Sequence, residues 1–329
     1  MPESTKTSET KPSEPTQPGL LDRLLDLTVA PGFTKVGYAI RSRAFEPLPD
    51  ASGRTVVITG ATAGLGLATA RMCAKAGASL VLLARDVERG RLALEEIEPL
   101  LKKGAHAVFH PCDMADLNAV RRLGENLAKA HHKVDALILN AGVLLPERTV
   151  TDDGIELAWA TNVVGPWILE QTLLDSLEAA AGRVVMVTSG GAYTERLALP
   201  EGDLTGSDYD GPAVYARTKR AQIALTQLQA EQFASRGIAV HAVHPGWADT
   251  PGVQSSLPTF RRFTAPLLRN ADQGADTIAW LAVADQSELS SGLLWHDRRP
   301  RPRTRMLGHS ETSAEREKLE AEIARLAAR

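Results

Sequence analysis

From residue 54 onward, short apolar runs alternate with longer amphipathic stretches. RTVVIT, ASLVLLA, AHAVFHP, VDALILN, GRVVMVT and IAVHAVH are each brief, rich in β-branched or aliphatic residues and bounded by turn residues or charge, the pattern of strands. Between them the spacing predicts helices over about 64–76, 86–101, 115–131, 153–179 and 213–236. A parallel strand buried on both faces reads as a continuous apolar run, so this alternation predicts an α/β fold, a doubly wound (Rossmann) parallel sheet with helices on both faces. The expected organisation is a disordered tail over 1–19, a helical extension over 20–49, one domain of this fold over 50–300, and a basic segment with a helix over 301–329.

Residues 20–45 are amphipathic, with leucines at 20, 21, 24, 25 and 27 interrupted by Asp22, Arg23 and Asp26. A helix docked on the domain is the plainer reading, and a helix lying in a membrane interface is the alternative. No apolar run approaches the ~18 residues of a membrane span. The expected location is therefore cytoplasmic, with membrane contact at most peripheral.

Composition narrows the chemistry. A formal net charge of -3 over 329 residues gives no global electrostatic case for nucleic acid. Cys73 and Cys112 are the only cysteines, and no C-x-x-C or Cys/His cluster has metal-ligand spacing, so no metal is expected and a reducing compartment fits. His241 and His244 have no carboxylate or cysteine at ligand spacing and read as structural. Arg298, Arg299, Arg301, Arg303 and Arg305 read as a solvated stretch broken by prolines, with a site for acidic partners or anionic lipid as the alternative.

The first strand runs into TGATAGLGLATARM, a G-x-x-x-G-x-G loop through Gly60, Gly64 and Gly66 that opens a helix. Glycines let backbone approach a pyrophosphate while the helix N-terminus offers free N–H groups. The second strand ends in LLARDVERG, where an adenosine ribose would be read. Arg85, with Arg89 one turn on, could meet a 2′-phosphate, whereas Asp86 could take a 2′-hydroxyl or simply cap the next helix. This favours NADP in preference to NAD. Tyr215 and Lys219 lie four apart and share one helix face.

With NAG at 140–142, TNVVG at 161–165, VTSGG at 187–191, YARTK at 215–219 and HPGWADT at 244–250, the chain resembles the short-chain dehydrogenase/reductase family over roughly residues 50–300. HPGWADTPGV, VYARTKRAQ, QGADT and DRRP look most like its member twelve-like group, close to retinol-dehydrogenase-type enzymes. The resemblance implies that Tyr215 is the general acid/base, that Lys219 supplies positive charge to a phenol of ordinary pKa near ~10 and holds the nicotinamide ribose, and that Ser189 hydrogen-bonds the reacting oxygen. Asn162, mid-helix, would help hold a water that relays protons toward Lys219. Gly60, Thr62, Gly64, Leu65, Gly66, Arg85, Asp113, Asn140, Ala141, Gly142, Pro245, Gly246 and Thr250 would line the cofactor along with Tyr215 and Lys219. Asp113 resembles the adenine contact, or else caps the helix that follows it.

Ser189 and Tyr215 are further apart than in the simplest family members. The intervening segment brings Tyr193 and Tyr209 as rival phenols, neither with a lysine four residues on. Segments 192–212 and 251–268 are expected to act as lids that select a lipophilic alcohol or carbonyl substrate. The resemblance leaves the oligomeric state open: family members often pair through the helices here near 115–131 and 153–179, a homodimer contact that the extensions could block. The competing function is a dinucleotide-binding regulatory or scaffold protein without turnover.

Overall fold

The computed structural model describes residues 32–200, 209–249, 262, 264–305 and 310–329. The expected tail, the start of the helical extension, Thr250 and most of 251–268 lie outside the described residues.

Seven strands run parallel: β1 (Thr55–Thr59), β2 (Ser79–Ala84), β3 (Ala107–Pro111), β4 (Ala136–Leu139), β5 (Arg183–Val187), β6 (Ala239–Val243) and β7 (Leu293–His296). An antiparallel edge strand, β8 (Arg299–Arg301), completes the order β3-β2-β1-β4-β5-β6-β7-β8. Val57 of β1 registers with Val81 on one side and Leu137 on the other, so the order reverses at β1. The crevice beyond the carboxyl ends of β1 and β4 is where such a sheet binds ligands.

The helices are α1 (Lys35–Arg41), α2 (Gly64–Ala76), α3 (Val87–Ile97), α4 (Leu117–Ala130), α5 (Gly165–Ala179), α6 (Gly211–Gln232), α7 (Ala271–Val283) and α8 (Ser313–Ala327). A single turn, Leu157–Trp159, and a π-helical turn, Ala160–Val164, lead into α5. One apolar layer packs α4, α5, α6 and α8 on the sheet through Leu127, Trp159, Leu173, Leu225 and Leu319. The other packs α2, α3 and α7 through Cys73, Ile97 and Ile278. Among the described residues no helix is long and apolar enough to cross a membrane.

The strands and helices read from periodicity are present, while α7, β7 and β8 add to them. Two local expectations change. The cap of α4 is Asp116, whose carboxylate accepts from Ala119 N at 2.8 Å, whereas Asp113 accepts from Ala115 N at 2.9 Å in a turn just before the helix. The arginine run is not a solvated stretch. Asp297 and Arg298, both at positive φ (51° and 53°), form a two-residue turn that folds the chain back as β8. Arg298 then grips Asp276 with Nε and Nη2 at 2.8 and 2.9 Å, Arg301 is buried, and Arg305 lies over the rings of Phe33 and Tyr193.

Candidate active site

The glycine loop follows β1 and is held from behind by two side chains. Thr59 Oγ1 accepts from the backbone N–H of Asn140 and of Ala141 at 2.9 and 3.0 Å, tying β1 to the end of β4. Asn140 Nδ2 donates to the carbonyls of Thr59 and Gly60 at 3.0 and 3.2 Å. Gly66 sits so close that a Cβ there would fall 2.2 Å from the Gly60 carbonyl oxygen and 2.6 Å from Asn140 Nδ2. Gly60 itself has φ +65°, the left-handed region that glycine enters at no steric cost.

Asp86, Asp116, Asp210, Asn270 and Thr312 each cap a long helix with a side-chain oxygen. At α2 the N-cap is Ala63, which has none. A bare helix N-terminus behind a glycine cradle fits an anionic pyrophosphate. Thr62, Gly64 and Leu65 are partly exposed along this rim. At the end of β2, Arg85 is exposed, while Asp86 is committed as the cap of α3, accepting from Arg89 N at 2.9 Å with Arg89 Nε 3.7 Å away. Asp113 is exposed at the end of β3.

Beyond β5, Ser189 stands beside the Tyr215 hydroxyl and favours its ionised form. Lys219 lies one turn along α6, its Nζ 5.5 Å from the Tyr215 ring centroid and donating to the Val187 carbonyl at 2.9 Å. Thr188 Oγ1 donates to the Lys219 carbonyl at 2.8 Å, fastening α6 to the end of β5. Burial pushes the Lys219 ammonium down to about 7, and no carboxylate opposes it. Burial also raises the Tyr215 phenol, which the neighbouring Ser189 hydroxyl partly offsets. Across the crevice, Gly142 packs close: a Cβ there would stand 3.2 Å from Lys219 Nζ and 3.3 Å from Asn162 Oδ1.

Asn162 occupies the π-helical turn rather than a regular helix. Pro166, four residues on, has no N–H to give the Asn162 carbonyl, which accepts instead from Gln222 Nε2 at 2.8 Å. Its side chain is fixed by Val143 N (2.7 Å), the Val143 carbonyl (3.0 Å) and Thr218 Oγ1 (2.9 Å). Thr59, Thr218 and Gln222 are the supporting residues that sequence reasoning missed. A proline four places after Asn162 was the readable signal for the last.

The rival phenols are occupied elsewhere. Tyr193 donates to the Pro302 carbonyl at 2.9 Å and Tyr209 to Glu156 Oε1 at 3.0 Å. His241 and His244 are buried, with burial holding His241 down to about 3. Among the described residues no cluster of His, Cys, Asp or Glu could hold a metal ion. Pro245 and Gly246 are buried at the end of β6, on the same edge of the sheet.

A family model described as short chain dehydrogenase matches residues 54–259. The chain is 37% identical over 296 residues to a Bos taurus protein named dehydrogenase/reductase SDR family member 12, covering 87% of this chain and 91% of that one. It is 32% identical over 249 residues to retinol dehydrogenase 12 of Bos taurus, covering 74% and 78%. A crystal structure of a protein from Mycobacterium paratuberculosis superposes with TM-score 0.68 at 26% identity, covering 85% of this chain and 96% of that one.

Proposed function

The chain belongs to the short-chain dehydrogenase/reductase family, NAD(P)-dependent oxidoreductases, and on that premise we propose that it is an NADP-dependent enzyme of CH–OH groups acting on a lipophilic alcohol or carbonyl. The observation that carries the reading is the placement of Ser189 beside Tyr215, with Lys219 buried one turn away, at the edge of the sheet that also bears the glycine cradle. A bound nicotinamide supplies or accepts the hydride. Tyr215 delivers a proton to the substrate oxygen, or removes one, and Ser189 fixes that oxygen beside it. Lys219 Nζ, beside Gly142, would hold ribose hydroxyls, and acceptors placed there would restore its charged form against the burial that lowers its pKa.

Arg85 supports NADP, because it makes no hydrogen bond or ion pair among the described residues while Asp86 is engaged as a cap. Relatives named for retinol, an apolar alcohol, motivate the lipophilic substrate. The test is a spectrophotometric screen of lipophilic aldehydes, ketones and alcohols with NADPH/NADP and NADH/NAD, followed by Tyr215→Phe. Turnover lost with cofactor affinity retained is the expected outcome. A variant that keeps most of its activity would overturn the assignment of Tyr215, and cofactor binding with no turnover of any substrate would favour a regulatory role.

A further inference from the structure

The turn formed by Pro245 and Gly246 leans on residues far away in sequence. Arg269, fully buried, lies directly beneath it: Nη1 is 3.4 Å from the Pro245 carbonyl, and a Cβ on Gly246 would fall 2.5 Å from Nε. The backbone of Arg269 bridges the chain after the turn, donating to the Trp247 carbonyl at 2.7 Å and accepting from Asp249 N at 2.9 Å. Its guanidinium is gripped by both oxygens of Asp297 at 2.6 and 2.9 Å. Burial opposes the Asp297 carboxylate, but His296, Arg269 and Arg41 more than reverse that and hold its pKa well below the usual range.

The N-terminal extension closes this network. Arg269 donates to the carbonyls of Thr34 and Gly32 at 3.2 and 3.1 Å, and Arg41 bridges the Gly32 carbonyl and Asp297 at 3.0 and 2.9 Å. The Phe33 carbonyl accepts from Trp247 N at 2.8 Å. The Phe33 ring, 3% exposed, meets His244 edge-on at 4.4 Å. Both rings back onto Gly190, where a Cβ would stand 3.1 Å from His244 Nε2 and 3.6 Å from the Phe33 ring.

We propose that residues 32–41, outside the nucleotide-binding domain, are a positioning element of the cofactor site, acting through Arg269 and Asp297 on the Pro245–Gly246 turn and through Phe33 on Gly190 beside Ser189. The proposal rests on the cofactor reading above, but it concerns the nicotinamide end that NADPH and NADH share. A buried, bidentate Arg–Asp pair shared by three segments fixes geometry better than apolar packing alone, because each partner's removal strands a charge.

The test compares Phe33→Ala and Arg41→Met with Leu127→Ala, which opens a cavity where α4 packs in the opposite layer, away from the network and from the helix bearing Tyr215 and Lys219. Fluorescence titration should show the first two weakening NADPH and NADH alike by about tenfold, equivalent to roughly 1.4 kcal/mol of lost pre-organisation. Leu127→Ala should bind as wild type does. Wild-type affinity in the folded Phe33 and Arg41 variants, or an equal loss in Leu127→Ala, would overturn the proposal. A second measurement needs neither folding of a variant nor a cofactor. In the wild-type protein the Trp247 amide should exchange its hydrogen together with the amides of α1, whereas exchange independent of α1 would refute the coupling.

Discussion

Replacing Lys219 with Met should make the cofactor-free protein more stable at neutral pH while destroying its activity. Lys219 is 3% exposed, and burial brings its pKa from 10.5 to about 7. Below about 7 both folded and unfolded chains carry the proton, so folding bears the full desolvation cost. Between 7 and 10.5 the unfolded chain holds a proton that the folded one has released, so stability rises with pH, and above 10.5 the contribution is constant. That lowering corresponds to about 4 kcal/mol at pH 7, of which about 2 kcal/mol is recovered by pH 9. Urea unfolding of wild type and Lys219→Met at pH 7, 8 and 9 isolates this one group, because other titrations are common to both proteins. The stability gap should close by about 2 kcal/mol from pH 7 to 9. A gap independent of pH would show that Lys219 stays charged in the folded protein and that the burial argument is wrong.

Gly66→Ala places a methyl against the Gly60 carbonyl and the Asn140 amide, both backed by rigid structure, and should cost roughly 1–3 kcal/mol in unfolding experiments together with most of the cofactor affinity. Arg85→Ala should weaken NADPH by about tenfold or more, the loss of one charge-assisted contact, and leave NADH unchanged in parallel titrations. Glu170 is fully buried with neither carboxyl oxygen hydrogen-bonded, and burial raises its pKa well above the usual range. The folded protein therefore keeps a proton that the unfolded chain releases above about pH 4.5, and stability falls as pH rises toward the folded pKa. Glu170→Gln should remove that decline in urea unfolding at pH 5 and 8.

Much of this was legible because it is local. A strand ending in a glycine loop and a helix bearing Tyr215 and Lys219 four apart are defined within a dozen residues, and their period fixes which face each side chain takes. What escaped depends on distance or on brevity. β7 contributes four residues, LLWH, too few for a period to declare itself. The partner of Arg298 lies 22 positions away at Asp276, and the rings under Arg305 belong to Phe33 and Tyr193, so a run of arginines read as a solvated stretch. Asp113 is a good cap by residue type, and only the path of the turn gives that role to Asp116 instead. The engagement of Tyr193 and Tyr209 follows from tertiary placement alone.

The position of α8 has a consequence for how the molecule is made. Leu319, Ile323 and Leu326, wholly buried, lie on α5, α6 and the π-helical turn that carries Asn162. The described sheet is complete once Arg301 has emerged from the ribosome, yet the apolar layer over α6 stays open until the last turns of α8 arrive. For that interval a nascent chain carries paired strands beneath an uncovered hydrophobic seam, the kind of surface that chaperones bind and that drives aggregation. Loss of the α8 leucines would then lower the yield of folded protein more than the turnover of each molecule that succeeds in folding.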